Sequence, residues 1–255
     1  MPLPHDRRGS GPPLVLLHFT GGTRGVWDPV RDALAAERET IAFDLPGFGE
    51  AAPLEGRPTV EGMAAVVAAA MRELGLGRPA VAGISLGGGV ALELARTGAV
   101  RRAAAISPVG FATLREQRWA HSSLTLLRAT VRPLAAAADP IATITPLRVA
   151  LGAQYFGRPW RVPPGDFAGL LRSYAASEAL QGTIDSIVLW RFGGGVPADV
   201  PVTIVWGSRD ALLLPRQGRR AVRVIPHARL VELPGCGHVP FYDDRDAVVR
   251  ALLEA

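Results

Sequence analysis

The sequence predicts an α/β fold of three layers, α/β/α, on a mostly parallel sheet of about six or seven strands, with a helical cap inserted. Three observations carry this. Short apolar runs alternate with helical patterns before residue 110 and again after residue 193. Those runs are nearly continuous in valine, leucine, isoleucine and alanine, as strands covered on both faces require. Between them, over 111–192, no strand pattern occurs, only helical stretches broken by Pro133, Pro140, Pro146, Pro159, Pro163 and Pro164. We therefore expect a core of 1–110 and 193–255 and a cap of 111–192.

The elements follow in order. Leu14-Val15-Leu16-Leu17 is a strand, entered through Pro12-Pro13 and left through Gly21-Gly22. A helix over 28–36 and a strand over 40–43 come next, then the loop Asp44-Leu45-Pro46-Gly47-Phe48-Gly49. Thr59 opens a long amphipathic helix that runs to residue 74. A strand over 79–84, a helix over 88–97 and a strand over 103–107 complete the first half. Gly193-Gly194-Gly195 and Pro197 mark the return from the cap. Strands over 202–206 and 229–233 then alternate with helices over 217–224 and 244–253.

Composition narrows the function. At 255 residues the chain can bury one sizeable core. Its net charge of +5 comes entirely from scattered arginines. No basic run interleaved with aromatics occurs, so a nucleic-acid partner is not expected. The single cysteine, Cys236, excludes an internal disulfide and a cysteine metal cluster. No apolar run is long enough to span a membrane, and the first ten residues are polar, so a cytoplasmic protein is expected. The zinc, calcium and nucleotide motifs HExxH, the EF-hand loop and GxxxxGK are absent, so no metal or cofactor is expected. No pattern fixes a homo-oligomeric state.

The chemistry-bearing residues sit at strand ends. Gly83-Ile84-Ser85-Leu86-Gly87 joins a strand to a helix, and the glycines leave room for a sharp turn that lifts the Ser85 hydroxyl above the sheet. An unactivated hydroxyl is a poor nucleophile and needs a base. His238, in Gly235-Cys236-Gly237-His238-Val239-Pro240, directly follows a strand and is the best candidate; His5, His121 and His227 lie in less suitable places. Asp210, past the turn Gly207-Ser208-Arg209, would hold the imidazole's tautomer, whereas Asp185 and Asp199 follow no core strand. The N–H groups of Leu86 and Thr20 are candidate donors to a developing oxyanion. Asp44 reads as a loop organiser, Trp27 as packing, and His18 as a residue that shapes its loop.

These motifs resemble the α/β-hydrolase superfamily, particularly small bacterial serine hydrolases with a helical cap. The resemblance rests on Leu17-His18 with Gly21-Gly22, the Asp44–Gly49 loop, Gly83–Gly88, Trp206-Gly207-Ser208-Arg209-Asp210 and Gly235–Pro240, all in family order. It implies Ser85 as nucleophile, Asp210 as acid, His238 as base, and Leu86 and Thr20 as the oxyanion hole. The expected activity is cleavage of a carboxylic ester or related acyl substrate through an acyl-enzyme. Serine at position 85, in place of a carboxylate, disfavours dehalogenase and epoxide-hydrolase chemistry.

Two departures stand out. Phe19 occupies a place where members carry glycine, and it can narrow the acyl pocket. The first clear strand begins at Leu14, so the N-terminal strands are shortened or missing, with one short edge strand near residues 3–7. Trp119, Tyr155 and Trp190 of the cap, with Phe19 and Val239, are candidates to shape the pocket. Leu124, Leu127, Phe156, Trp160, Tyr174 and Ile184 add to its apolar stock, which favours a small apolar or aromatic acyl substrate. Lactone, thioester or C–C cleavage, acyltransferase or perhydrolase activity, and non-catalytic ligand binding on the same scaffold remain open alternatives.

Overall fold

Among the described residues, seven strands form one sheet: β1 (His5–Arg8), β2 (Pro13–Leu17), β3 (Glu39–Phe43), β4 (Ala80–Ile84), β5 (Arg102–Ile106), β6 (Val202–Gly207) and β7 (Arg229–Leu233). The structure is a computed structural model and describes residues 3–255. Strand order is β1-β3-β2-β4-β5-β6-β7. Every neighbouring pair is parallel except β1 with β3, where His5 lies opposite Phe43 and Arg8 opposite Thr40. The expected edge strand is therefore present, short and antiparallel. Arg31 secures it by donating to the Asp6 carbonyl (2.9 Å) and to Thr40 Oγ1 (3.2 Å).

Helices α1 (Asp28–Ala35), α2 (Val60–Glu73) and α3 (Leu86–Arg96) connect the first strands. Five more, α4 (Leu114–Leu134), α5 (Ala138–Thr143), α6 (Thr145–Gly152), α7 (Pro164–Ala176) and α8 (Leu180–Ile187), lie between β5 and β6. α9 (Arg216–Val224) and α10 (Arg245–Leu253) complete the chain. α1 packs on α10 and α2 on α3, so helices cover the sheet in an α/β/α sandwich. Strands β4 and β6 are buried along their whole length, which is why their sequences do not alternate.

Local chemistry sets the helix ends. Thr59 Oγ1 accepts the Gly62 N–H (3.0 Å) and caps α2. Thr113 and Glu116 form a reciprocal capping box at the start of α4. Pro140, Pro146, Pro159 and Pro164 each stand in the first turn of a helix or 3₁₀ turn. There the missing N–H costs little, so these prolines begin helices more than they break them. Pro133 lies in the last turn of α4. α3 starts at Leu86, two residues earlier than its glycine-rich sequence predicts. Close packing overrides propensity here: a Cβ on Gly87 would sit 2.3 Å from the Leu17 carbonyl oxygen.

The chain leaves and re-enters the sheet at neighbouring points. Phe111 and Phe192 pack with ring centroids 5.9 Å apart, and the Phe192 N–H donates to the Gly110 carbonyl (3.1 Å). Among the described residues, no helix is long and apolar enough to cross a membrane.

Candidate active site

The order of the strands places the site. The chain runs from β2 to β3 on one side and from β3 back across to β4 on the other side of β2, a reversal that opens a crevice beyond the carboxyl ends of the strands. Ser85 ends β4 at that edge with φ 56° and ψ −112°, a conformation that non-glycine residues adopt only under constraint. The constraint is visible. A Cβ on Gly83 would lie 2.0 Å from the Gly87 carbonyl oxygen, so only glycine lets strand and helix meet this closely. The Ser85 N–H donates to the Ile106 carbonyl (2.8 Å) and its carbonyl accepts from Gly89 (3.0 Å) and Val109 (3.2 Å).

The loop after β2 is tied to this turn by the Gly87 N–H, which donates to the His18 carbonyl (3.1 Å). Among the described residues, no acceptor takes the N–H of Leu86 or of Thr20. His18 is fully engaged. Its Nε2 accepts the Leu45 N–H (2.8 Å), so its Nδ1 carries the proton and donates to the Phe19 carbonyl (2.8 Å). Burial lowers its pKa to about 4, against the opposing pull of the Phe19 carbonyl and Asp44. His18 is a neutral strut. Asp44 organises the neighbouring loop: its carboxylate accepts from the Arg24 N–H (2.7 Å), the Arg24 guanidinium and the Glu50 N–H (3.1 Å).

Asp210 and His238 meet at the carboxyl ends of β6 and β7. His238 Nδ1 lies 2.8 Å from Asp210 Oδ2, and both side chains are fully buried. Asp210 Oδ1 accepts the N–H groups of Leu212 (3.0 Å) and Leu213 (2.8 Å), which fixes the carboxylate. With Nδ1–H donated to Asp210, the neutral imidazole presents Nε2 as an acceptor. That nitrogen is buried and, among the described residues, has no hydrogen-bond partner, Ser85 Oγ included. In unliganded sites such contacts are often long and tighten only around substrate. The two loops are laced by Arg209 N–H to the Cys236 carbonyl (2.8 Å) and Gly235 N–H to Ser208 Oγ (2.8 Å).

Asp243, which no sequence motif singled out, organises the His238 loop. Its buried carboxylate accepts from Gly237 N–H (2.8 Å), Gly157 N–H (2.8 Å) and Arg158 N–H (2.7 Å), joining the loop to the cap. The small residues beside His238 serve this close approach more than loop freedom: a Cβ on Gly237 would lie 2.4 Å from the Gly157 nitrogen. Trp27 and Phe241, both buried, pack with tilted rings whose centroids lie 4.9 Å apart. Burying such rings is worth about 1.5–3 kcal/mol each. Burial and Asp243 push the Cys236 thiol up to about 11, away from nucleophilic work.

Ser85 and Thr20 line a cavity of about 530 Å³, counting its open mouth. Phe19, Tyr155, Trp190, Leu124 and Leu213 form much of its apolar wall. The Tyr155 ring lies 6.0 Å from that of His238 and 6.0 Å from Phe19. Beyond Phe19 and Tyr155 lies a second apolar chamber among Leu127, Val131, Phe156, Phe167, Leu171 and Tyr174. Phe19 thus stands as a partition. Two expected pocket residues lie elsewhere. Trp119 is 52% exposed and donates its indole N–H to the Ala211 carbonyl (3.0 Å), because the face of α4 it occupies looks outward. Val239 is buried outside the cavity wall; its N–H donates to the Tyr155 carbonyl (2.7 Å) and holds that residue in place. Two polar lining residues, Gln117 and Gln217, lie outside every sequence motif.

Comparisons with known proteins agree with this architecture. An uncharacterized protein of Mycobacterium tuberculosis is 30% identical over 92% of this chain and 72% of its own length. A pimeloyl-[acyl-carrier protein] methyl ester esterase of Chromobacterium violaceum is also 30% identical, over 96% of this chain and 94% of that one. The solved enol-lactonase of Burkholderia xenovorans shares the fold, with a TM-score of 0.78 at 21% identity over 99% of this chain and 95% of that one. The family model for the alpha/beta hydrolase family matches residues 14–251, and this chain belongs to that family.

Proposed function

We propose that this chain hydrolyses a carboxylic ester or related acyl compound, with Ser85 as nucleophile, His238 as base and Asp210 as its orienting acid. The observation that carries the reading is the buried His238–Asp210 bond of 2.8 Å, whose outer imidazole nitrogen is left without a partner. It lies at the same sheet edge as the constrained Ser85 turn. As Ser85 Oγ bonds to the acyl carbon, its proton passes to His238 Nε2. The N–H groups of Leu86 and Thr20 stabilise the oxyanion; one well-placed donor of this kind is worth about 2.7–4 kcal/mol. Collapse expels the alcohol, which takes the proton from His238 and leaves an ester on Ser85. Water then attacks that ester and gives its proton to His238; the bond from the acyl carbon to Ser85 Oγ breaks as Oγ takes that proton back, which releases the acid and restores the neutral imidazole and the free serine.

The segment 111–192 acts as a lid over this centre, and its apolar wall suits a small apolar or aromatic acyl group. A methyl ester esterase among the relatives supports ester cleavage. The test is a fluorophosphonate that adds its phosphonyl mass to Ser85, combined with turnover of p-nitrophenyl esters of graded chain length. Ser85→Ala should abolish labelling and lower kcat on the order of 10⁶-fold. Labelling elsewhere, or ester turnover that survives the substitution, would overturn the assignment.

A further inference from the structure

Most polar side chains in the cavity are accounted for by the proposed chemistry or by structure. Ser85 and Thr20 belong to the acyl-transfer centre, and the Trp190 indole donates to Glu61 (2.6 Å). Two carboxamides are not, nor is the Tyr155 hydroxyl, which is buried without a hydrogen-bond partner among the described residues. Gln217 is fully buried, and among the described residues neither its Nε2 nor its Oε1 has a hydrogen-bond partner. Gln117 is 3% exposed, and its Nε2 is likewise buried and unpartnered. Both line the same cavity as Ser85. Burying an amide without a partner is costly, so such groups mark a place where a ligand completes the bonding.

The pair is also held in position. Glu116, immediately before Gln117, receives the guanidinium groups of Arg216, immediately before Gln217, and of Arg220. Arg220 Nε further donates to the Phe111 carbonyl (2.7 Å). This staple joins α4 to α9. A residue adjacent in a helix points about 100° round the axis. The staple therefore fixes the rotation of both helices while their next side chains face inward.

We infer that Gln117 and Gln217 form a recognition site for a neutral group on the acyl part of the substrate, one that both accepts and donates hydrogen bonds, as a carboxamide does. The inference rests on the hydrolase reading above and names its substrate class: an amide-bearing ester in place of a plain alkyl one. Gln217 offers one donor group and one acceptor, the complement of a carboxamide, and Gln117 adds a second donor group. Among the described residues, no arginine, histidine, aspartate or glutamate lines the cavity. A carboxylate would enter without a counter-charge, which disfavours an acidic substrate.

The experiment uses p-nitrophenyl esters with acyl spacers of graded length, each ending in an isopropyl, carboxamide or carboxylate group of the same shape. At the best spacer, the wild type should favour carboxamide over isopropyl by at least about 10-fold in kcat/KM, and carboxylate should be the poorest. Gln217→Met and Gln117→Met nearly conserve volume. Each should lower the carboxamide-to-isopropyl ratio roughly 10- to 100-fold, mainly through KM. Thermal denaturation checks their folding, and Gln217→Glu serves if the methionine variant does not fold; it should lower the same ratio by removing the donor. A wild-type ratio near one at every spacer, or a ratio unchanged in folded variants, overturns the inference and leaves the hydrolase reading standing. Absence of Ser85-dependent turnover of the isopropyl ester overturns the hydrolase reading, and the inference with it.

Discussion

Two histidine–aspartate pairs in this molecule have nearly the same contact distance and different surroundings. His238 and Asp210 meet at 2.8 Å with both side chains buried; His121 and Asp185 meet at 2.7 Å with side chains 43% and 52% exposed. Asp210 is held by two further backbone N–H groups, and the second nitrogen of His238 faces the interior. Asp185 has the Gln181 side chain as its other partner and lies on the outside of the cap. Distance alone does not orient an imidazole. In water the attraction is screened and the side chains must be ordered to make it, whereas in a buried frame the tautomer and direction of the imidazole are already set.

The sharpest way to break the comparison is to make the same change in both pairs. Asp210→Asn keeps the shape but can favour the wrong tautomer of His238, and kcat should fall roughly 10⁴-fold. Asp185→Asn should leave kcat within about twofold, since surface changes have small effects. Initial rates on one p-nitrophenyl ester, with circular dichroism to confirm folding, measure both. Equal losses would show that burial is not what separates the pairs.

Much of this contrast was legible in the sequence because strand ends are legible. β4 and β6 announce themselves as apolar runs and β7 carries Leu230-Val231 between Arg229 and Glu232, so Ser85, Asp210 and His238 could be placed at one end of the sheet before any contact was known. His121 and Asp185 could be set aside because neither follows a core strand. The cap was much less legible. Its contacts are long-range: Gln117 and Gln217 line one cavity, and the neighbouring Glu116 and Arg216 pair across a hundred positions of sequence. A helical pattern also does not reveal which face looks inward, so Trp119 was expected in the pocket and stands outside it.

A second buried histidine sharpens the comparison through pH. His18 has both nitrogens engaged and a pKa of about 4, held low chiefly by burial, against 6.5 for the free side chain. Between these values the unfolded chain binds more protons than the folded one. Stability is therefore full above pH 6.5 and declines as pH falls toward 4, by up to about 3 kcal/mol from this group. Denaturant midpoints at pH 7 and pH 4.5 measure the decline. His18→Asn should be less stable at pH 7 and should lose less between the two values; an unchanged slope would refute a neutral His18.

The cap–core staple comes next in size. Burial would raise the pKa of Glu116, but the Thr113 N–H, Arg216, the Thr113 hydroxyl and Arg220 outweigh it and hold the carboxyl below its ordinary value. Its contribution is present above the ordinary glutamate pKa and is lost as pH falls through the lower folded value. Arg216 and Arg220 both reach solvent, so the cost of Glu116→Gln is well below that of a fully buried pair, about 1–2 kcal/mol. The loss should be greater at pH 7 than at pH 3. It should also broaden selectivity between carboxamide and isopropyl esters, since Gln117 and Gln217 lose their common anchor.

The smallest effect returns to the exposed pair. Its bond to His121, then that to Gln181, lowers the pKa of Asp185, so any stabilisation exists above the ordinary aspartate value and fades as pH falls through the lowered one. Both partners are solvated, and exposed pairs of this kind contribute at most about 1 kcal/mol. A double-mutant cycle of His121→Ala and Asp185→Asn at pH 6 should therefore give a coupling below that limit, and salt should reduce it further. The same cycle on kcat should give no coupling. A coupling in kcat would mean that this surface contact reaches the reacting centre through α4 and α8, and that the two pairs differ in degree only.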